Sequence, residues 1–283
     1  MTVSHDYLHA HHDRNARRTG WVVALTAAMM VGEIVAGYAT GSMALLADGF
    51  HMATHAGALG VAAFAYRYAR AHAHDPRFSF GTGKVGDLAG FASALILAVF
   101  AIGIAVESAG RLLSPVAVDF ADATLVAAIG LVVNLVSAAL LFDRHDHDHH
   151  HGHDHNLRAA YLHVLADALT SVLAILALLG GRNLGWVWLD PAVGIVGAVV
   201  IARWAWGLLK QTAATLLDRT DEHVAAQVRE AAGEAAVRDL HVWHLGPGAL
   251  GVIVDVTGDT DAAILRERIG RLPAVKHVTV QKL

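Results

Sequence analysis

Residues 85–112 read VGDLAGFASALILAVFAIGIAVESAGRL, and no charged side chain stands between Asp87 and Glu107. A helix rises about 1.5 Å per residue, so a run of this length reaches across the ~30 Å of hydrocarbon in a bilayer. It reads as a membrane span, and the chain repeats the pattern. Segments near Trp21–Ala39, Met43–Tyr66, Val118–Phe142, Leu157–Leu179 and Trp186–Leu209 meet the same length. With Val85–Leu112 they predict six transmembrane helices in an all-α membrane domain.

Composition agrees. Hydrophobic residues make up 55% of the 283 positions, charged residues 16%, and the mean hydropathy is +0.46. Soluble domains carry about 25% charged residues. The five prolines lie outside the spans or at a span's first turn, where a missing N–H does least harm. The absence of cysteine excludes disulfides and thiolate metal sites. A net charge of −4 points to no nucleic-acid partner. The first apolar run follows Arg14, Arg17 and Arg18 but is too long for the core of a cleavable signal peptide, so it reads as the first span.

The connections alternate in charge. Arg14, Arg17, Arg18, Arg67, Arg70, Arg77, Lys84, Arg144 and Arg158 fall at the N-terminus and in the second and fourth connections, against only Arg111 and Arg182 on the other side. The positive-inside rule then places both termini in the cytoplasm, as an even number of spans requires. After about Gln211 the character changes. Asp221–Ala236 reads as an amphipathic helix, and Val237–Leu245 and Leu250–Val256 as strands around Gly246–Pro247–Gly248. Ile264, Leu265 and Ile269 mark a second helix, and Val275–Val280 alternates like a third strand. The expected organisation is a His-containing N-terminus at 1–19, a transport domain at 20–212 and a small α+β cytoplasmic domain at 213–283.

Ionisable groups within membrane spans are expensive and mark function by default. Span two holds Asp48, His51 and His55; span five holds His163 and Asp167. Each span thus presents two ligand-type side chains at i, i+4, on one face and one turn apart. If the faces meet, three imidazoles and one carboxylate converge, a number suited to tetrahedral coordination. Nitrogen and oxygen donors favour Zn²⁺, Co²⁺ or Ni²⁺ over Mg²⁺ and Ca²⁺, and the lack of sulfur disfavours Cu⁺ and Cd²⁺. The alternative, a set of histidines that only fix helix packing, suits an isolated His better than two such pairs. Asp48 is a candidate to orient a ligand, relay protons or make a packing hydrogen bond. Glu33, Asp87 and Asn134 are expected to pair with other helices, and Asp190 to cap its own.

The connection between spans four and five, residues 143–155, reads DRHDHDHHHGHDH. It has no apolar residue to pack. His145, His147, His149, His150, His151, His153 and His155 read as a weak metal-collecting loop or a solvated linker. His241 and His244 of the terminal domain, three apart on a strand, are expected on opposite faces.

The His51/His55 pair, the His163-x-x-x-Asp167 pair, the segment Phe78-Ser79-Phe80-Gly81-Thr82-Gly83-Lys84 and the terminal α+β domain resemble the cation diffusion facilitator family. The resemblance runs from span one to the end of the chain. It implies a homodimeric, proton-coupled metal exporter of the cytoplasmic membrane with a ferredoxin-like cytoplasmic domain, whose metal is cargo rather than cofactor. Zinc-transporting relatives usually have Asp where this chain has His55. That difference, the His-rich connection and Leu157-Arg158-Ala159-Ala160-Tyr161-Leu162-His163 resemble the cobalt–nickel branch, so Co²⁺ and Ni²⁺ are the expected cargo, with Zn²⁺ close behind. A zinc-specific exporter, a membrane metal sensor and an intramembrane metalloenzyme are the alternatives. Against an enzyme, four protein ligands leave no open position for water. Against a sensor, six spans exceed what sensing needs.

Overall fold

The computed structural model describes residues 11–73, 75–142, 154–233, 236–258 and 261–283. Within its helices, the side chains of residues 11–23, 55, 56, 58, 59, 138, 140–142 and 154–167 lie outside the described set. Six long helices come first: α1 (His11–Thr40), α2 (Met43–Ala71), α3 (Val85–Leu113), α4 (Phe120–Phe142), α5 (Asp154–Leu184) and α6 (Leu189–Leu216). They are followed by α7 (Glu222–Ala232), β1 (Ala236–Gly246), β2 (Ala249–Thr257), α8 (Ala262–Gly270) and β3 (Val275–Lys282). The chain divides into two units, Met1–Ala58 with Ile96–Trp204 and Leu59–Leu95 with Ala205–Leu283.

Among the described residues, α3, the Phe120–Ser137 part of α4, and α6 are both long and apolar enough to cross a membrane. Ala24–Thr40 of α1 and Ala168–Leu184 of α5 are shorter apolar stretches. α2 is long, but Asp48, His51 and His55 lower its hydropathy. On α3, Leu95, Ile96, Val99, Ile102 and Val106 are all exposed. An apolar face of that extent is unsuited to water and fits a lipid solvent.

Inside the first unit, small side chains bring the helices close. Leu45 of α2, Ala123 and Ala127 of α4, and Leu178 of α5 share one fully buried cluster. A Cβ on Gly197 of α6 would stand 2.6 Å from the Ala47 Cβ of α2, so only glycine admits this approach. Without a hydrophobic force between helices in lipid, such close packing is what holds them together.

The terminal elements form a three-stranded sheet in the order β1-β2-β3, with β1 antiparallel and β3 parallel to the central β2. Leu250, Val252, Val254 and Val256 alternate along β2 and pack with Val224 and Val228 of α7 and with Leu265 and Ile269 of α8. Burying each such side chain contributes about 1.5–3 kcal/mol. Asp221 accepts from the His223 and Val224 N–H groups, both at 3.1 Å, and starts α7. The helix ends at Ala232, short of the expected Ala236, because Gly233 takes a left-handed φ of 62° and terminates it. α6 begins at Leu189 rather than Trp186, after a turn through Gly185 at φ 71°.

Candidate metal centre

α2 owes its starting point to a residue far away in sequence. Asp190, in the first turn of α6, accepts from the Ser42 hydroxyl at 2.6 Å, the Met43 N–H at 2.8 Å and the Ala44 N–H at 3.2 Å. Those N–H groups have no partner within their own helix, and the N-terminal partial positive charge favours a carboxylate there. Asp190 therefore caps α2, not the helix that carries it. The cap sets the axial position of Asp48 and His51, one and two turns further on.

Asp48 and His51 are buried, at 3% and 8% exposure. The Ser171 hydroxyl of α5 donates to Asp48 Oδ2 at 2.7 Å, and Ser171 is itself fully buried. The Thr54 hydroxyl bonds back to the His51 carbonyl at 2.6 Å. A cavity of about 20 Å³ lies between α2, α5 and α6, lined among others by Asp48, His51, Thr170 and Gly197. That is room for one water-sized occupant.

Helical periodicity places Asp48, His51 and His55 along one stripe of α2. Residues 163, 167 and 171 likewise share a stripe of α5, and the Asp48–Ser171 bond ties the two stripes at one end. The His55, His163 and Asp167 side chains themselves lie outside the described set, as do His145–His153 and the His155 side chain. Among the described residues, no three His, Asp or Glu side chains come together. Ser171 went unnoticed in the sequence. Its signal was the i+4 continuation of His163 and Asp167.

Several other polar groups have partners of their own. Asn134 of α4 contacts the Met52 sulfur at 3.7 Å, and Asp87 is half-buried. Arg111 binds Glu107 at 2.9 Å and the Gly41 carbonyl. Asp75 is held by Arg77 through a 2.6 Å ion pair and a backbone N–H bond. The Arg77 guanidinium and N–H keep the Asp75 carboxyl below the ordinary carboxylate value. Lys84 pairs with Asp218. Phe80 meets Trp243 and His277 edge-on, with centroids 5.7 and 5.6 Å away. His241, opposite Ile253, pairs with Asp239 at 2.8 Å, while His244 lies opposite the buried Leu250. The two histidines therefore occupy opposite faces of β1.

A carboxylate and an imidazole buried between apolar helices make this region a candidate functional site. Residues 21–217 match the model of the cation efflux transmembrane domain. The chain belongs to the cation efflux family. It is 32% identical over 280 residues to the cation efflux system protein CzcD of Alcaligenes sp. (strain CT14), covering 97% of this chain and 85% of the relative. It is 36% identical over 254 residues to the zinc transporter ZitB of Escherichia coli (strain K12), covering 87% and 79%. A third relative, the cadmium, cobalt and zinc/H(+)-K(+) antiporter of Bacillus subtilis (strain 168), is 29% identical over 287 residues, covering 95% and 91%. As a member of the cation efflux family, the chain is a membrane transporter and not an enzyme, and the metal it moves is substrate rather than cofactor.

Proposed function

We propose that the chain exports a divalent transition metal, Zn²⁺ or Co²⁺ with Ni²⁺ a further candidate, in exchange for protons, through a site formed by His51, His55, His163 and Asp167. The observation that carries this reading is the Asp48–Ser171 hydrogen bond. If each of the six long helices spans the bilayer, α2 and α5 run in opposite directions. From that anchored level, His51 and then His55 run along α2 beside Asp167 and then His163 on α5. The donor set suits Zn²⁺ and Co²⁺. Two of the relatives bear zinc in their names, and one of them also bears cadmium, cobalt, a proton and potassium.

The exchange follows from the ligands. Imidazole binds metal only when neutral, and a free imidazole titrates near ~6.5. Release of the ion lets the histidines and the carboxylate take up protons, and the next ion displaces them on the other side. The reading extends to six spans, both termini cytoplasmic, and a homodimer in the cytoplasmic membrane. It also takes 20–212 as the transport domain and 213–283 as a ferredoxin-like cytoplasmic domain. The clustered arginines of the second and fourth connections support the orientation. The helix–strand–strand–helix–strand order supports the domain type. The His145–His155 loop fits a weak collector of cargo.

The test is transport of Zn²⁺, Co²⁺ and Ni²⁺ into sealed vesicles with and without an imposed pH gradient, using wild type and Asp167→Ala. Wild type should move metal in response to the gradient, and the variant should lose transport. Wild-type flux in Asp167→Ala would overturn the site, and wild-type flux indifferent to pH would overturn the coupling.

A further inference from the structure

Glu33 of α1 is fully buried, and neither of its carboxyl oxygens has a hydrogen-bond partner among the described residues. An isolated polar group in such surroundings is disfavoured, and a bare charge more strongly so. The fold nevertheless makes room for it. A Cβ on Gly130 of α4 would run into the Glu33 carboxyl, so glycine there leaves the space that the carboxyl fills. Gly49 of α2 admits the same turn of α1, where a Cβ would stand 2.9 Å from the Ile34 side chain and 3.2 Å from the Glu33 Cβ.

Among the described residues, the titratable group beside this contact is Asp48, the chain neighbour of Gly49 on α2, with His51 one turn further along that helix. α4 meets Glu33 at Gly130. Asp48 in turn accepts from Ser171 of α5.

We infer that Glu33 carries one of the protons exchanged for the metal ion, an inference that rests on the proton-coupled reading. A carboxyl buried this completely, with no hydrogen-bond partner among the described residues, does not ionise in an apolar medium unless a cation is near. In the empty transporter Glu33 is the neutral acid. When a divalent ion enters, its charge stabilises the carboxylate, and the Glu33 O–H bond breaks and gives its proton to water on the entry side. When the ion leaves on the far side, the carboxylate takes a proton from water there. No contact between Glu33 and the ion is needed, because the coupling acts through charge across a medium of low dielectric constant.

The test is proton release on Zn²⁺ binding to the purified full chain in weakly buffered detergent, repeated as metal-driven proton movement in vesicles holding a pH dye. Glu33→Gln keeps the shape of the side chain and removes the acid. It should bind Zn²⁺ with wild-type stoichiometry and release about one proton fewer per ion. Glu33→Asp should restore the wild-type count. Equal release by wild type and Glu33→Gln would overturn the role of Glu33 while leaving the exchange reading intact. No release by wild type would overturn the exchange reading itself. If Glu33→Gln does not fold, infrared difference spectra of wild type decide. The spectra are compared with those of Glu33→Asp: a protonated-carboxyl band lost on Zn²⁺ binding that shifts in Glu33→Asp supports the role, and the absence of any band that shifts overturns it.

Discussion

Replacing Asp190 with Ala removes the acceptor that starts α2, and the structure sets the size of the effect. Asp190, Ser42, Met43 and Ala44 are all at most 1% exposed, so bulk water does not reach the groups that lose their partner. Two N–H groups and one hydroxyl lose an acceptor. The hydroxyl still accepts from the Leu45 N–H at 3.1 Å, so the N–H groups bear most of the loss. A buried donor left unsatisfied costs about 1–3 kcal/mol, and relief from burying a carboxylate returns part of that. The expected net loss is about 2–4 kcal/mol, or a fall of about 5–10 °C in the melting temperature measured in detergent. Asp190→Asn keeps the acceptor for Ser42 and Ala44 but turns an amide N–H toward that of Met43, so about half the loss is expected. A cycle with Ser42→Ala should be non-additive, because the two side chains share one bond. Wild-type melting of Asp190→Ala would refute the assignment of Asp190 as the cap of α2.

Two further perturbations probe the second unit. Gly251→Ala places a Cβ 2.6 Å from the Trp243 ring. The ring must move, costing about 1–3 kcal/mol and loosening its edge contact with Phe80; unchanged melting and unchanged Trp243 environment would contradict this. Asp75 should titrate below the ordinary carboxylate value by NMR and return toward it in Arg77→Ala. Because its folded value is depressed, the pair's contribution is present above the unfolded value of about 3.9 and is lost as pH falls through the folded one. An Asp75 titration indifferent to Arg77→Ala would show that the pair does not form in solution.

Much of the architecture was legible in the order of residues because its cause is local. A run such as 88–106 has no stable home other than an apolar one, and β2 alternates because successive side chains point to opposite faces. Boundaries missed where one backbone conformation decided them. Asp221–Ala236 is continuous in composition, yet Gly233 turns left-handed and stops the helix. The stripe of His51 and His55, and that of His163 and Asp167, followed from the 3.6-residue period alone.

Partnerships between distant residues were not legible. Asp190 before Pro191 looks like the start of its own helix, and nothing nearby indicates that its acceptor serves Ser42, 148 residues away. Ser171 is one small polar residue in an apolar run until Asp48 is seen against it, and Glu33 is one acid among several until Gly130 is seen to make room for its carboxyl. Sequence by itself marked the long apolar segments, the helix faces that hold His and Asp at i, i+4, and the small sheet domain that follows. Only tertiary structure decided which faces meet and what each buried polar group meets there. Periodicity is a property of one helix, whereas a hydrogen bond between helices depends on their packing distance, rotation and axial shift.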